Sequence, residues 1–189
     1  MPRKLNPELE DRILNAAHKL FLEGGSGALS MRALAKAAHT TTTAIYRRFK
    51  DREQILATLV KRVQRDIFAR FEPCHSLQEI CQRYLEFALS HPHEYQLLNA
   101  SVFSVTKIER SNLEFVRKRA AEWLGGSPDD HTDLVLALWV SLHGTATLLI
   151  SKSVPSRYES KLRSVASQMV DLLLRNERAL SKQIGRRTS

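Results

Sequence analysis

The sequence predicts an all-α protein of about nine helices arranged in two domains. Apolar residues recur at the three- and four-residue spacing of amphipathic helices along almost the whole chain. Helix-start signals, in which Ser, Thr, Asp or Asn precedes an apolar run, alternate with Gly and Pro stops. The 189 residues include only 7 glycines and 6 prolines, few for a loop-rich or all-β protein.

Composition points to a soluble intracellular protein. A hydrophobic content of 43% argues against disorder. The two cysteines, Cys74 and Cys81, do not make a disulfide framework, so we expect a reducing compartment. The basic N-terminal segment lacks the apolar run of a signal peptide, and no apolar stretch is expected to reach the ~18 residues of a membrane span. We therefore expect a cytoplasmic protein.

Positive charge is concentrated in the N-terminal third of the chain. The net charge is +9, and residues 1–71 hold 14 Lys and Arg against 7 Asp and Glu. Residues 72–181 hold 12 against 13, and three further cations lie in the tail. This distribution favours a polyanionic partner for the first domain, although a solvated basic face would give the same composition.

Four helices are predicted in the N-terminal third. The first begins near Asn6 and ends at the Gly24–Gly25 pair. Ser30 caps a short second helix, and "TTAIYRRF" forms a short third one. Asp51 caps a long fourth helix that runs to Phe71.

Three further helices are predicted in the middle of the chain. Glu72-Pro73 breaks the fourth helix, and Ser76, with Glu79 at capping-box spacing, starts the fifth. Pro92 ends that helix. The segments "EYQLLNASVF" and "TKIERSNLEFVRKRAAEWL" are the sixth and seventh.

The last two helices are the most apolar. Ser127 starts the eighth, which should run to about Ser153. Ser156 and Glu159 have the spacing of a capping box for the ninth, which should run to about Ser181.

Four consecutive threonines, Thr40–Thr43, separate the second and third helices. A short helix, a tight turn at residues 39–41 and another short helix have the spacing of a helix-turn-helix. Thr41 is placed to N-cap the third helix, since its hydroxyl can accept a free backbone N–H. Thr42 and Thr43 then lie in the first turn of a recognition helix, where a hydroxyl and a methyl group can meet base edges.

Two stretches, "RILNAAHKLFLEGG" and "LSMRALAKAAHTTTTAIYRRFKDREQIL", carry a family pattern over roughly residues 9–60. They resemble the N-terminal domain of the TetR family of bacterial transcriptional regulators. His39 departs from the pattern, because it stands where the family has a turn glycine, a position that tends to need φ > 0. The resemblance implies a DNA-binding domain over residues 7–60, with the fourth helix continuing to about residue 71 as a connector. Residues 72–182 would then form the ligand-binding and dimerisation domain.

The resemblance implies a DNA-binding transcriptional regulator. It implies a homodimer on a palindromic or near-palindromic operator, and release of the DNA by a small apolar effector. Tyr46 would contact bases or phosphates, and the cations would contact phosphates. The implied DNA-binding residues are Arg32, Thr41, Thr42, Thr43, Tyr46, Arg47, Arg48, Lys50 and Arg52.

The C-terminal residues carry a second resemblance. The segments "HPHEYQLL" and "LWVSLHGTATLL" are similar to a subfamily marked by a Trp-x-x-x-His-Gly motif. The middle helices hold mostly apolar residues with a few hydrogen-bonding groups, a composition that suits a small-molecule site but also ordinary helix core. The expected ligand-binding residues are Tyr84, Phe87, Tyr95, Asn99, Phe103, Trp139 and His143.

The last two helices are expected to form the dimer interface as half of a four-helix bundle. Small residues at 137, 141, 144 and 145 would let helices approach closely, although the same faces could pack within one subunit. Apolar area in the eighth helix should come from Leu134, Leu138, Leu142 and Leu149, and in the ninth from Leu162, Val165, Ala166, Met169, Val170, Leu172 and Leu173.

Catalysis and metal binding are not expected. The cluster of Cys74, His75, Cys81, His91 and His93 lacks the spacing of a structural zinc site. No nucleophile–base pair or phosphate-binding glycine loop is present, so we expect neither an enzyme nor a cofactor. A regulator that activates or takes no ligand, and a helical small-molecule-binding or metal-sensing protein without sequence-specific DNA binding, remain alternatives.

Overall fold

The computed structural model describes residues 7–102 and 106–177, and all regular structure among them is helical. Within these residues there are nine α-helices, two short 3₁₀ turns and no strand, which confirms the predicted all-α class. The helices are α1 (Pro7–Ala28), α2 (Met31–Ala37), α3 (Thr42–Tyr46), α4 (Arg52–Phe71), α5 (Leu77–Ser90), α6 (Pro92–Val102), α7 (Thr106–Leu124), α8 (Thr132–Ile150) and α9 (Glu159–Arg175).

The predicted helix starts at Ser30, Asp51 and Ser76 are confirmed by side-chain caps. Each side-chain oxygen accepts the backbone N–H three residues later, at 3.1, 2.8 and 3.2 Å respectively. These bonds satisfy N–H groups that have no partner inside the helix. The local sequence therefore sets where α2, α4 and α5 begin.

The start of α9 differs from the prediction. Ser156 does not cap it, because residues Ser156–Tyr158 form a 3₁₀ turn that follows Pro155 and has no side-chain cap. α9 itself begins at Glu159, so the predicted capping box is wrong. The predicted end near residue 181 lies outside the described residues.

α8 is shorter than predicted at both ends. The signal at Ser127 starts a 3₁₀ turn, Pro128–His131, and the Ser127 N–H donates to Asp130 Oδ2 at 2.7 Å. The α-helix ends at Ile150, after which Lys152 takes a left-handed backbone conformation with φ of 52°.

The first compact unit combines α1–α3 and most of α4 with part of α6. It contains the described residues up to Asp66 and also His93–Ser101. The predicted C-terminal domain, residues 72–182, includes the whole of α6. In the structure His18 contacts Glu94 of α6, with 2.6 Å between Nε2 and Oε1.

The second unit contains Ile67–Pro92 and the described residues from Val102 onward. α8 packs against α5, α7 and α9 in this unit. Gln78 Nε2 on α5 donates to Asp171 Oδ1 on α9 at 2.5 Å. The core is the buried stripe of α8 together with side chains of α5 and α9, namely Leu134, Leu138, Leu142, Ala146, Phe87, Ala88, Ala166 and Val170.

The segment Pro128–Ile150 meets the length and composition of a membrane span, with 23 residues and a mean hydropathy of 1.6, contrary to the expectation from sequence. Its buried stripe packs on three helices of its own unit, as in the core helix of a helical bundle. This burial accounts for the apolar residues of that stripe.

Both cysteines are free and buried in the second unit. Burial raises the pKa of the Cys81 thiol to about 12. The pKa of Cys74 is also raised, chiefly by burial and then by the nearby carboxylate of Glu79. Neither thiol carries appreciable thiolate at neutral pH.

Candidate nucleic-acid interface

The turn between α2 and α3 has a conformation that usually favours glycine. The His39 N–H donates to Lys36 O at 3.2 Å, and the Thr40 N–H donates to Ala35 O at 2.9 Å. His39 has a φ of 49°, which confirms that the position needs φ > 0 although a non-glycine residue occupies it. The turn therefore keeps its tight geometry and presents an exposed imidazole.

α3 is anchored on one side and exposed on the other. Thr41 N-caps it as predicted, because its Oγ1 accepts the Ala44 N–H at 3.1 Å. Ile45 is 0% exposed and fixes the buried side, whereas Tyr46 is 55% exposed. Thr42 lies one helical turn before Tyr46 and therefore on the same side of the helix. A short helix thus presents hydroxyl, methyl and phenol groups to solvent.

Three of the predicted phosphate-binding cations are available for a ligand. Arg32, Arg47 and Lys50 are exposed. Within the described part of the chain their side chains make no hydrogen bond or ion pair. Arg32 lies on α2, Arg47 at the end of α3 and Lys50 in the α3–α4 turn. Exposed cations therefore precede and follow α3 in the sequence.

The other two predicted cations are engaged within the protein. Arg48 is half-buried, and its Nη1 donates to Ala44 O at 3.2 Å. Arg52 Nε donates to Leu29 O at 2.8 Å, and its Nη2 donates to Ser26 O. Sequence reasoning missed these roles, since a backbone carbonyl leaves no signal in the sequence.

The predicted ligand-binding residues are spread over both units. Tyr95 and Asn99 belong to the first unit, and the Asn99 amide donates to Tyr95 O at 2.8 Å. Phe87 is buried and stacks on His91, with ring centroids 5.2 Å apart. Tyr84 is half-buried on α5, and Phe103 lies outside the described residues.

Trp139 and His143 lie one turn apart on α8, with ring centroids 5.4 Å apart. Trp139 is 39% exposed, so it borders the solvent-facing side of the helix. Burial lowers the pKa of His143 below its usual 6.5. A lowered pKa favours the neutral imidazole at pH 7, in which one ring nitrogen carries a proton and the other does not.

An apolar face remains exposed on α8 and α9. A depression of about 460 Å³ between the two helices is lined by apolar and small side chains of Leu136, Ala137, Val140, Ser141, Met169 and Leu173. Val140 is 62% exposed and Leu172 is 55% exposed. The residues expected to supply interface area from α8 are instead buried in their own unit, because helical periodicity places them on the opposite side, namely Leu134, Leu138, Leu142 and Leu149.

Among the described residues, no group of three His, Cys, Asp or Glu side chains is placed to hold a metal ion.

Two family models match the chain. One, described as bacterial regulatory proteins of the tetR family, matches residues 13–59. The other, described as a tetracyclin repressor-like C-terminal domain, matches residues 77–173, which is more than half of the chain. A search of curated proteins finds no match.

Several solved structures have the same fold. A TetR-like transcriptional regulator from Rhodococcus sp. RHA1 is 18% identical, with 93% of this chain and 97% of that chain covered and a TM-score of 0.59. The multidrug binding protein EbrR, complexed with imidazole, is 20% identical, with coverages of 89% and 93% and a TM-score of 0.63. The fatty acid degradation regulator FadR from Bacillus halodurans is 16% identical, with coverages of 91% and 97% and a TM-score of 0.59.

Proposed function

The chain belongs to the TetR family of bacterial regulatory proteins and is a DNA-binding transcriptional regulator; from this premise we propose that it is a homodimeric repressor released from its operator by a small apolar effector. Repression and release by an inducer are typical of the family. We further propose a cytoplasmic location and no catalytic activity, both of which rest on the family.

The exposed side of α3 carries the proposal for DNA. Tyr46 is the most exposed tyrosine of the described residues, at 55%, on a helix held by a threonine cap and a fully buried Ile45. We assign base contacts to Thr42, Thr43 and Tyr46. Arg32, Arg47 and Lys50 are assigned to phosphates, because their side chains are exposed and make no contact within the described chain.

We assign the dimer interface to the exposed apolar face of α8 and α9. Large apolar side chains at 38–62% exposure, among them Leu136, Val140 and Met169, favour burial against a second copy. Small residues at 137 and 141 line the depression between the helices and would allow close packing. A two-fold dimer presents two recognition helices, which predicts an operator of two matching half-sites.

For the effector we retain the seven predicted ligand-binding residues as a proposal. Aromatic side chains and one neutral imidazole suit an apolar molecule with a single polar group. Tyr95 and Asn99 lie on α6, and the central residues of that helix group with the DNA-binding unit.

The first experiment measures binding to the DNA upstream of the protein's own gene, by fluorescence anisotropy against scrambled competitor. Three cations in each of two subunits predict a slope of about −5 in log K against log salt. Tyr46→Ala should weaken specific binding by about 1–3 kcal/mol. Tyr158→Ala, a similarly exposed tyrosine in the second unit, should bind like wild type.

A genome-wide selection of bound DNA covers operators elsewhere. Selected fragments with two matching half-sites, bound tightly by wild type and weakly by Tyr46→Ala, are the expected result. Fragments with no common sequence and no effect of Tyr46→Ala would instead favour a helical small-molecule-binding or metal-sensing protein whose basic domain is incidental.

A further inference from the structure

The side chain of Arg52, the first residue of α4, contacts groups of the protein itself, which an arginine that only binds phosphate would not need to do. Its Nε donates to Leu29 O at 2.8 Å, and its Nη2 donates to Ser26 O. Its Nη1 lies 3.3 Å from Glu53 Oε1. All three guanidinium nitrogens are therefore directed at groups of the protein.

The two carbonyls lie at the irregular end of α1, where Ser26 O also accepts the Leu29 N–H at 3.4 Å. Regular helix is interrupted at Gly24 and Gly25, which have φ values of −150° and 61°. The helical partner of Leu29 O would be the Ala33 N–H, but this amide donates to the Ser30 side chain at 3.1 Å. Leu29 is only 2% exposed, and a buried carbonyl without a donor is destabilising. Arg52 Nε donates to Leu29 O in place of the Ala33 N–H, which donates to the Ser30 side chain instead.

The same contact joins the two ends of the helix-turn-helix. α2 begins at Met31, two residues after Leu29, and α4 begins at Arg52 itself. α3 lies between them and has five residues, too few to hold its orientation without tertiary contacts. The hydrogen bond from Arg52 to Leu29 O therefore ties the segment that follows α3 to the segment that precedes α2.

We propose that Arg52 is a positioning residue for the recognition helix and does not bind phosphate. Its guanidinium fixes the α1–α2 loop to the start of α4, and the fixed loop sets the angle at which α3 meets the operator. This assignment rests on the proposed DNA-binding function of α3. Arginine is suited to the role because one planar fork reaches two carbonyls, which a lysine ammonium on a flexible stem does not reproduce.

The test compares the salt dependence of operator binding in Arg52→Ala, Arg52→Lys and the wild type. Lysine keeps the charge that a phosphate contact needs but cannot replace both carbonyl contacts. We expect both variants to bind about tenfold more weakly, the scale for two lost hydrogen bonds. The slope of log K against log salt should stay at the wild-type value, because no phosphate contact is removed.

Arg47 supplies the matched control, since its side chain has no partner in the described chain. Arg47→Ala should reduce the slope by about 0.9 for each subunit, and Arg47→Lys should retain it. The positioning role of Arg52 would be overturned if Arg52→Lys bound like wild type while Arg52→Ala lost slope as Arg47→Ala does. Unchanged affinity in both Arg52 variants would overturn it as well.

A second measurement needs no DNA. Hydrogen exchange of the backbone amides of residues 26–31 should be faster in Arg52→Lys than in wild type, with residues 159–175 of α9 unchanged. Equal exchange rates of residues 26–31 in Arg52→Lys and wild type would show that Arg52 does not hold the loop. A wild-type protein without sequence-specific binding would reject the proposed function instead, and the exchange data would still decide whether Arg52 holds the loop.

Discussion

The imidazole of His18 on α1 and the carboxylate of Glu94 on α6 are in direct contact, with 2.6 Å between Nε2 and Oε1. Glu94 is 7% exposed, so its carboxylate is held where a hydrogen-bond partner is needed. The chain on both sides of His93–Ser101 belongs to the second unit, whereas this stretch of α6 groups with the first. The His18–Glu94 hydrogen bond therefore joins α6 to α1 within the DNA-binding unit.

Replacing His18 by alanine should lower the free energy of unfolding by about 1–3 kcal/mol, because it leaves a buried carboxylate without its partner. Urea denaturation followed by circular dichroism measures the loss. His93→Ala, which removes a histidine of α6 that has no recorded partner in the described chain, should cost less.

A double-mutant cycle tests the coupling itself. Glu94→Leu combined with His18→Ala should cost less than the two single changes added together, since neither polar group is then left unpaired. Additive losses would show that the contact contributes nothing beyond the packing of each side chain.

Replacing His39 by glycine should stabilise the protein by about 0.5–1 kcal/mol, because a φ of 49° is strained for a side chain with a Cβ. Lys152→Gly is the matched change in the second unit, at a φ of 52°, and should stabilise by a similar amount. Thermal unfolding reports both effects. His39→Val should be destabilising, and a stabilised His39→Val would contradict the strain at this turn.

Replacing Thr41 by alanine should cost about 1 kcal/mol, because the cap on the Ala44 N–H is lost. Operator affinity should fall as well, since the first turn of α3 frays. Thr41→Ser keeps the hydroxyl and should retain most of both quantities. Equal losses in the serine and alanine variants would mean that the methyl group, not the cap, is what matters.

A charge on the apolar face of α8 should break the proposed dimer. Val140→Lys places an ammonium at a side chain that is 62% exposed in one subunit and buried in the proposed interface. Light scattering after size exclusion should then give the mass of a monomer. Leu124→Lys, on an exposed leucine of α7 at 42%, should remain dimeric. A dimeric Val140→Lys would place the interface elsewhere.

The cap on the 3₁₀ turn Pro128–His131, which precedes α8, should make stability depend on pH in the acid range. Hydrogen bonds from Ser127 hold the pKa of Asp130 below its usual 3.8. A carboxylate with a lowered folded-state pKa stabilises the protein above its unfolded pKa, and this contribution is lost as the pH falls through the folded value. Asp130→Ala should therefore melt earlier than wild type at pH 7, and the two should converge as the pH drops below 3.8.

Local sequence patterns predicted most helix starts, whereas they carried no information on contacts between distant residues. The caps at Ser30, Thr41 and Asp51 were predictable because each involves a backbone N–H three residues away. The capping box predicted from Ser156 and Glu159 is wrong, because a 3₁₀ turn after Pro155 precedes α9, which begins at Glu159. The same spacing does give a capping hydrogen bond at the 3₁₀ turn after Ser127, so the spacing alone does not fix where an α-helix begins.

Contacts between distant residues escaped sequence reasoning. His18 and Glu94 are 76 positions apart, and Arg52 reaches a carbonyl 23 positions away. Neither partner is marked in the sequence, since a buried carboxylate and a backbone carbonyl both depend on how the helices pack. The exposure of Tyr46 on α3 could be predicted from spacing, whereas the bonds of Arg48 and Arg52 to backbone carbonyls could not.

The buried state of Cys74 and Cys81 has a practical consequence for spectroscopy. Thiol reagents attack the thiolate, and both thiols are shielded with raised pKa values. A single cysteine introduced at an exposed site, such as Lys36→Cys on α2, would then be the preferred site of maleimide or spin-label attachment. Pulsed electron resonance on the proposed dimer, labelled at this position, could follow the separation of its two α2 helices while both native cysteines stay in place.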